Sequence, residues 1–396
     1  MKILYINTLY APNNVGGAER VVQSLAEGVA RAGHQAVVVS AAAQAGTQTN
    51  WVNGVKAYYV GLKNVYWPYE DKRFHPALKA AYHVLDTYNP WMGRAVARIL
   101  DEEHPDLVHT NNLAGFSSLA WQLVKKRDLP LVHTLHDYYL LCPRSSMFRN
   151  GQPCTTQCAR CRVFALMRNR LSNHVDVVVG VSRFILERHL EFGYFATTPR
   201  RRVTNNGYRK ESKESVALPR ATWSLPIRFG YIGRFALEKG PKVLLESVSR
   251  LTKGTWSLDM AGSKHTLYGR YLRAKYETPS IKFLGYTETE VFFKKVDVLV
   301  IPSLWHDPLP TVIIEAYAHG VPVVGSNKGG IPELVEEGRT GFLFDPAQPN
   351  DLAVKLQRFI DEPPRLRDMR LACLEKAKDY MSERVIAEYL EVYDTV

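Results

Sequence analysis

Short apolar runs alternate with amphipathic helical patterns along the first half of the chain. The runs are rich in Val, Leu and Ile and read KILYIN, AVVVS, DLVHT, LPLVHTL and VDVVVGVS. The first helical pattern, AERVVQSLAEGVARAG, places Val21, Leu25 and Val29 on one face, as a helical period of about 3.6 residues requires. Strands that alternate with helices at this spacing predict a parallel sheet covered by helices on both faces.

A second series of the same kind follows in the other half of the chain. Its apolar runs are IRFGYIG, SLDMAG, IKFLG, VDVLVIPS and VPVVGS. Between the two series, the polar stretch from Asn205 to Pro226 loses the apolar periodicity, and we interpret it as an interdomain linker. The pattern therefore predicts an α/β protein with one doubly wound domain at residues 1–205 and another at 206–380.

The last helical pattern, SERVIAEYLEVY, stacks Val385, Tyr389 and Tyr393 in one apolar stripe. An apolar stripe of this kind has to be buried against another element. Residues 381–396 are therefore predicted to form a helix that packs either on the first domain or on the second.

The chain of 396 residues carries a formal net charge of +12, and most of that charge lies in its first half. Residues 1–205 contain 24 Lys and Arg against 14 Asp and Glu, whereas residues 206–396 contain 27 against 25. Between Tyr138 and Arg202 there are eleven arginines, no lysine and three acids. Arginine suits phosphate contacts and interfacial anchoring, although a solvated basic face without a partner has the same composition.

Several classes of protein are disfavoured by the sequence. No apolar run approaches the ~18 residues of a membrane-spanning helix, and Met1–Asn7 is strand-like rather than a signal peptide. No RRM signature, zinc-finger spacing or heptad-linked basic region is present, so we expect no nucleic-acid partner. We expect a cytoplasmic protein, with the inner face of the membrane as a place of association.

Two strand ends of the second half carry candidate phosphate ligands. Arg234 and Lys239 follow the strand FGYIG, and a guanidinium and an ammonium group suit the oxygens of a diphosphate. Asp307 follows a later strand, and Glu315 lies eight residues further on in a helical pattern. Carboxylates of this kind suit the hydroxyl groups of ribose or a hexose.

Glycine pairs follow the first strand of the first domain and a late strand of the second. They are Gly16–Gly17 and Gly329–Gly330. Glycine lets backbone N–H groups approach an anion without interference from a Cβ atom. His136 also follows a strand of the first domain, where its imidazole could accept a hydrogen bond from a sugar hydroxyl or, as a cation, face a phosphate.

Taken together, these motifs resemble those of the family 4 retaining glycosyltransferases. The resemblance rests on the GR…EKG segment at Arg234 and Lys239, the GGIPE turn at 329–333, the GGAER loop at 16–20, and two acids eight residues apart. The first of those acids is Asp307, where the family has glutamate. The resemblance implies the GT-B fold, in which two Rossmann-like domains face each other across a cleft and the last helix returns to the N-terminal domain.

The resemblance also implies an activity. A hexosyl group would pass from a UDP- or GDP-linked sugar to a hydroxyl of a saccharide or lipid-linked glycan, with retention at the anomeric carbon, in the synthesis of cell-surface polysaccharide or glycoconjugate. His136 would contact the transferred sugar. The chain has no Asp-x-Asp pair, so we expect Arg234 and Lys239, rather than a divalent metal, to stabilise the leaving diphosphate. A nucleotide-sugar epimerase of the same architecture is the alternative.

Four of the five cysteines cluster within twenty residues of the first domain, at Cys142, Cys154, Cys158 and Cys161. Four thiolates so close could complete a structural zinc site, and free or redox-paired thiols are the alternative in a reducing compartment. The segment RCRVFALMRNRLSNH that follows is basic and amphipathic. It suits contact with an anionic membrane surface or a lipid-linked acceptor, but the composition slightly favours the alternative, an ordinary domain helix with solvated arginines.

Overall fold

The computed structural model describes residues 1–13, 16–70, 74–209, 225–263 and 266–396. The chain divides into two compact units. The first contains Met1–Met147, Cys154–Gly207 and Ser382–Val396, and the second contains Phe148–Pro153 and Tyr208–Met381. Most of the predicted linker, residues 210–224, lies outside the described residues.

The strands, in chain order, are β1 (Lys2–Ile6), β2 (Gln35–Ala42), β3 (Thr47–Val52), β4 (Val55–Gly61), β5 (Leu107–Thr110), β6 (Leu131–Leu135), β7 (Phe148–Arg149), β8 (Gln152–Pro153), β9 (Val177–Gly180), β10 (Arg200–Val203), β11 (Ile227–Ile232), β12 (Trp256–Ala261), β13 (Ile281–Gly285), β14 (Val298–Ile301), β15 (Val323–Ser326) and β16 (Gly341–Phe344). The α-helices are α1 (Gly17–Arg31), α2 (Pro76–Thr87), α3 (Pro90–Glu103), α4 (Leu119–Lys125), α5 (Ala159–Ser172), α6 (Arg183–Glu191), α7 (Pro241–Val248), α8 (Leu267–Tyr276), α9 (Thr289–Phe293), α10 (Thr311–Ala318), α11 (Ile331–Leu334), α12 (Asp351–Asp361), α13 (Arg365–Ala377) and α14 (Ser382–Asp394).

The sheet of the first unit has the strand order β10-β9-β6-β5-β1-β2-β4-β3. Its strands run parallel except at one edge, where β3 pairs with β4 in antiparallel register. The two strands are joined by Asn53 and Gly54, whose φ angles of 49° and 84° are both positive, as a two-residue type I′ hairpin requires. The prediction of an all-parallel sheet is therefore wrong at this edge, because a local hairpin adds a reversed strand.

The C-terminal helix α14 packs on the first unit, as the resemblance implied. Val385, Ile386 and Tyr389 belong to the same buried core as β1 and β2. The Tyr393 hydroxyl lies 2.8 Å from His109 Nδ1 and 3.2 Å from the Tyr5 hydroxyl. The apolar stripe read from the sequence is thus buried against the sheet of the first unit.

A buried ion pair ties two helices of the first unit to two of its loops. Asp86 of α2 and Arg168 of α5 are almost fully buried, and their charged groups lie 3.0 Å apart. Asp86 Oδ1 accepts a hydrogen bond from the Gly115 N–H, and Arg168 donates one to the Tyr139 carbonyl. Burial raises the pKa of Asp86 to about 6, although the Arg168 charge opposes that shift.

The sheet of the second unit is parallel throughout, with the order β13-β12-β11-β14-β15-β16. Strands β11, β14 and β15 are neighbours, so the loops after them begin at the same edge. This carboxyl edge is where open α/β sheets bind ligands. No helix in the described ranges combines the length and apolar character needed to cross a membrane.

Candidate active site

Lys239 lies at the carboxyl edge of the second sheet and meets the loop that follows β14. Its ammonium Nζ is 2.5 Å from Asp307 Oδ2 and 5.0 Å from the centroid of the Trp305 ring. The Leu304 and Trp305 N–H groups both donate to the Glu238 carbonyl, at 2.8 and 3.2 Å. The turn at Glu238 and Lys239 is therefore hydrogen-bonded through its backbone to the loop that carries Asp307. The ion pair with Asp307 fixes the position of the Lys239 ammonium group.

Gly329 and Gly330, after β15, bring a third loop to the same point. Gly329 has φ 63°, and a Cβ atom there would lie 2.2 Å from the Asp307 carbonyl oxygen. The Gly329 N–H donates to His306 Nδ1 at 3.2 Å, and the Gly330 N–H donates to the Asp307 carbonyl at 2.8 Å. In this arrangement the N–H groups of the two glycines bond to the loop that carries Asp307. Their donation to a diphosphate stays a prediction. It would require both N–H groups to leave their present acceptors, His306 Nδ1 and the Asp307 carbonyl.

Arg234 precedes Lys239 in the loop after β11, and Glu315 follows Asp307 in α10. The Arg234 side chain is 76% exposed and lies 3.9 Å from the Glu238 carboxylate, a separation at which an exposed pair holds the guanidinium only weakly. Its backbone is fixed, since the Tyr231 hydroxyl donates to the Arg234 carbonyl at 2.7 Å. Glu315 lies in α10, half-buried, and its carbonyl accepts a hydrogen bond from the His319 ring.

In the first unit, polar side chains meet at the carboxyl ends of the neighbouring strands β5 and β6. His136 Nε2 lies 2.9 Å from Asn111 Oδ1, and Asn112 Nδ2 donates to Asp137 Oδ2 at 3.1 Å. Asp137 Oδ1 accepts the Tyr139 N–H at 2.7 Å. Asp137, like His136, follows the apolar run LPLVHTL, whereas Asn111 and Asn112 were not singled out from the sequence, and the only signal for them was their position directly after the run DLVHT.

The charge states of His136 and Asp137 follow from burial. Burial lowers the pKa of His136 to about 4, so the imidazole is neutral near pH 7, and of the two roles left open for it the acceptor of a hydroxyl is favoured. Burial raises the pKa of Asp137 to about 7, and the nearby Glu19 carboxylate adds to the rise. Asp137 can therefore change its protonation state near neutral pH.

The Asp137→Asn variant is expected to gain stability relative to the unmodified protein as the pH rises from about 4 to about 8. Because the folded-state pKa of Asp137 is raised, the native protein binds more protons than the unfolded chain in this window, and the stability contributed by Asp137 falls as pH increases. Each unit of pKa shift corresponds to about 1.4 kcal/mol. We expect a relative gain on the order of 2–4 kcal/mol, measured by urea unfolding at several pH values. A difference independent of pH would contradict the assignment.

Gly16 and Gly17 lie at the start of α1. Gly16 is the N-cap residue, with extended backbone, and Gly17 is the first helical residue. A Cβ atom at Gly16 would lie 2.9 Å from Glu19 Oε2, so the small residue leaves room for a carboxylate in the first turn. Contact of these glycines with phosphate or sugar stays a prediction, and residues 14–15 lie outside the described residues.

None of the five cysteines, all of which lie within the described residues, is joined in a disulfide. The Cys142 thiol contacts the Cys161 thiol, which lowers the Cys142 pKa to about 6, and backbone N–H groups of Arg144, Ser146 and Met147 contribute to the same shift. Cys161 also contacts Cys158. Within the described residues, no group of three or more His, Cys, Asp or Glu side chains is arranged to hold a metal ion. Zinc at Cys142, Cys154, Cys158 and Cys161 therefore stays a prediction, with free or redox-paired thiols as the alternative.

Comparison with known proteins gives the family. Residues 15–209 match the description "Glycosyltransferase Family 4", and residues 224–379 match "Glycosyl transferases group 1". A Klebsiella pneumoniae relative, "Uncharacterized 42.6 kDa protein in cps region", is 33% identical over 334 residues, which cover 84% of this chain and 87% of that protein. The chain therefore belongs to the group 1, family 4 glycosyltransferases.

Solved structures support the same fold. Sucrose-phosphate synthase from Thermosynechococcus elongatus has a TM-score of 0.75 at 19% identity, over 100% of this chain and 98% of that one. Anabaena HepE in complex with UDP and glucose has a TM-score of 0.71 at 19% identity, over the whole of both chains. At this identity the likeness concerns the fold, and it confirms the GT-B fold.

Proposed function

We propose that this glycosyltransferase moves a hexosyl group from a UDP- or GDP-linked sugar to an acceptor hydroxyl, with retention at the anomeric carbon. The observation that supports it most is the convergence of Lys239, Asp307 and Gly329 at the carboxyl edge of the second sheet. A fixed ammonium group at this edge suits a diphosphate. The UDP and glucose bound by the Anabaena neighbour agree with a donor of this class.

In this proposal the protein supplies charge stabilisation rather than a covalent nucleophile. As the sugar departs, negative charge grows on the diphosphate, and Arg234 and Lys239 are positioned to stabilise it without a divalent metal. The transition state is oxocarbenium-like, and the acceptor attacks the same face with assistance from the leaving phosphate. Glu315 is assigned to the nucleotide ribose. Asp307, which accepts a hydrogen bond from Lys239, is assigned to a place near the transferred sugar or its phosphate.

The acceptor is proposed to be a saccharide or lipid-linked glycan in the synthesis of cell-surface polysaccharide or glycoconjugate. The Klebsiella relative, named for its place in a cps region, supports this. His136 is assigned to a hydroxyl of the transferred sugar, because its neutral imidazole can accept a hydrogen bond.

The test is a panel of UDP-, GDP- and ADP-sugars, each assayed for release of the nucleoside diphosphate with and without EDTA. One donor is expected to stabilise the protein in a thermal-shift assay and to be hydrolysed slowly, with equal rates in EDTA. Proton NMR of the first-formed sugar is expected to show the donor's anomeric configuration. Release that requires a divalent cation, or an inverted product, would contradict those parts of the proposal. Conversion of the donor into an epimeric sugar nucleotide would indicate the epimerase instead.

A further inference from the structure

Helices α2 and α5 pack side by side in the first unit and bury one ion pair between them. The His83 and Phe164 rings lie 5.9 Å apart, and the Arg160 guanidinium lies 5.8 Å from the Phe164 centroid. Together with the buried pair of Asp86 and Arg168, these contacts join the two helices into one layer.

The outward faces of both helices combine exposed apolar side chains with basic ones. On α2 the exposed positions one or two turns apart are Ala77, Ala81 and Val84, continued by Tyr88, and on α5 they are Ala159, Val163, Leu166 and Arg170. Val84, Val163 and Leu166 are 63%, 65% and 68% exposed. The outward face of a helix in a soluble domain is ordinarily polar. Exposed apolar side chains on such a face therefore indicate a site of interaction.

The two exposed faces are continuous at one end. Tyr88, just after α2, lines a pocket of about 550 Å³ together with Met167 and Arg170 of α5. Trp91, at the start of α3, is 53% exposed close by in the chain. Tyrosine and tryptophan with one apolar side and one polar atom are the side chains enriched at membrane–water interfaces.

The charges around this face have one sign. The exposed charged residues of α2, α5 and the first nine residues of α3 are all basic: Lys79, Arg94, Arg98, Arg160, Arg162 and Arg170. The one acid in these segments is Asp86, which is buried against Arg168. The acids of α3 itself are confined to its last turn.

This charge pattern decides between occupants of the face. A second copy of the chain, related by a two-fold axis, would bring basic residues against basic residues, which repel each other. An anionic lipid surface attracts each arginine or lysine and also accepts the apolar side chains between them.

We propose that the exposed face of α2 and α5 docks on an anionic membrane surface, with Val163 and Leu166 entering the headgroup region. The proposal goes beyond the donor chemistry and does not depend on it.

The experiment is sedimentation of the full chain with vesicles of phosphatidylcholine alone or of phosphatidylcholine with phosphatidylglycerol. We expect binding to the anionic vesicles that weakens with salt, and at least about a tenfold loss of affinity in Val163→Glu/Leu166→Glu, because each charge near such a surface changes affinity by roughly fivefold. The matched control is Val354→Glu/Leu371→Glu, on α12 and α13, where the residues are 53% and 55% exposed and no loss is expected.

Two further readouts keep the outcomes distinct. Release of nucleoside diphosphate in the absence of vesicles is expected to be the same in the α5 double variant and the unmodified protein, which shows that the variant is folded. Light scattering is expected to show the same mass for both. Equal binding to neutral and anionic vesicles, an equal loss in the control variant, or a dimer dissociated by Val163→Glu/Leu166→Glu would each overturn the proposal. Failure of every donor in the panel would leave the vesicle result unchanged.

Discussion

Lys239→Ala is expected to reduce release of the nucleoside diphosphate by roughly 10²–10³-fold, the usual effect of removing one group that stabilises transition-state charge. Lys239 is the cation held most firmly at the carboxyl edge of the second sheet, because Asp307 and the Trp305 ring both contact its ammonium group. The measurement is the steady-state release rate with the donor identified by the panel, at saturating concentration.

The controls separate lost chemistry from a damaged fold. Lys239→Ala leaves Asp307 without its counterion at a buried position, so the double variant Lys239→Ala/Asp307→Asn should regain stability without regaining turnover. Lys242→Ala removes an exposed lysine of α7 that pairs with Glu246 at 3.4 Å, and its rate should be unchanged. Arg234→Ala should be slow and fully stable, since its side chain is 76% exposed. Near-normal rates in both Lys239→Ala and Arg234→Ala would remove the proposed phosphate clamp.

Gly329→Ala is expected to lose turnover by on the order of 10²-fold, which is the effect of displacing a reacting group by about 1 Å. The added methyl group meets two obstacles: the φ of 63° disfavours any residue with a Cβ atom, and that atom would lie 2.2 Å from the Asp307 carbonyl oxygen. The Asp307 loop must therefore move, and Lys239 moves with it. Release rate and thermal stability should both be measured.

Gly338→Ala is the matched control for this variant. Gly338 has a similar φ of 76°, but its nearest neighbour to an added Cβ is the Arg365 guanidinium at 3.7 Å. It should show the cost of positive φ alone, about 1–2 kcal/mol of stability, with turnover retained. Equal turnover in Gly329→Ala and Gly338→Ala would show that the contact between the glycine turn and Asp307 has no part in the reaction.

Much of the fold could be predicted because its signals are local. The strands β1, β2, β5, β6 and β9 coincide with apolar runs in the sequence, and the stripe on α14 gave that helix its buried face. The β3–β4 hairpin was missed, although Asn53-Gly54 between alternating strands is itself a hairpin signal. Tyr58 and Tyr59 of β4 are buried, at 3% and 6% exposure. Apolar periodicity locates a strand along the chain, but it does not say which strand will pair with it in the sheet.

The main residues of the candidate site in the second unit could be named from the sequence, but the contacts between them could not. Lys239 and Asp307 were each singled out, yet their contact joins residues 68 positions apart, and residue type alone cannot give such a distance. His306, which accepts the Gly329 N–H, and Asn111, which lies beside His136, were not singled out from the sequence at all. These contacts depend on how neighbouring parallel strands align their carboxyl ends, which follows from the order of strands in the sheet.

The pair of Asp86 and Arg168 also constrains how this sequence can drift. Exchange of either residue alone leaves its partner as an isolated charge in the interior, at a cost of about 3–5 kcal/mol, comparable with a large part of a domain's net stability. We therefore expect substitutions at the two positions to be tolerated only when both change together. Gly115 and Tyr139 also bond to the pair. A joint replacement therefore has to suit four positions on two helices and two loops, and we expect few substitutions to be tolerated there.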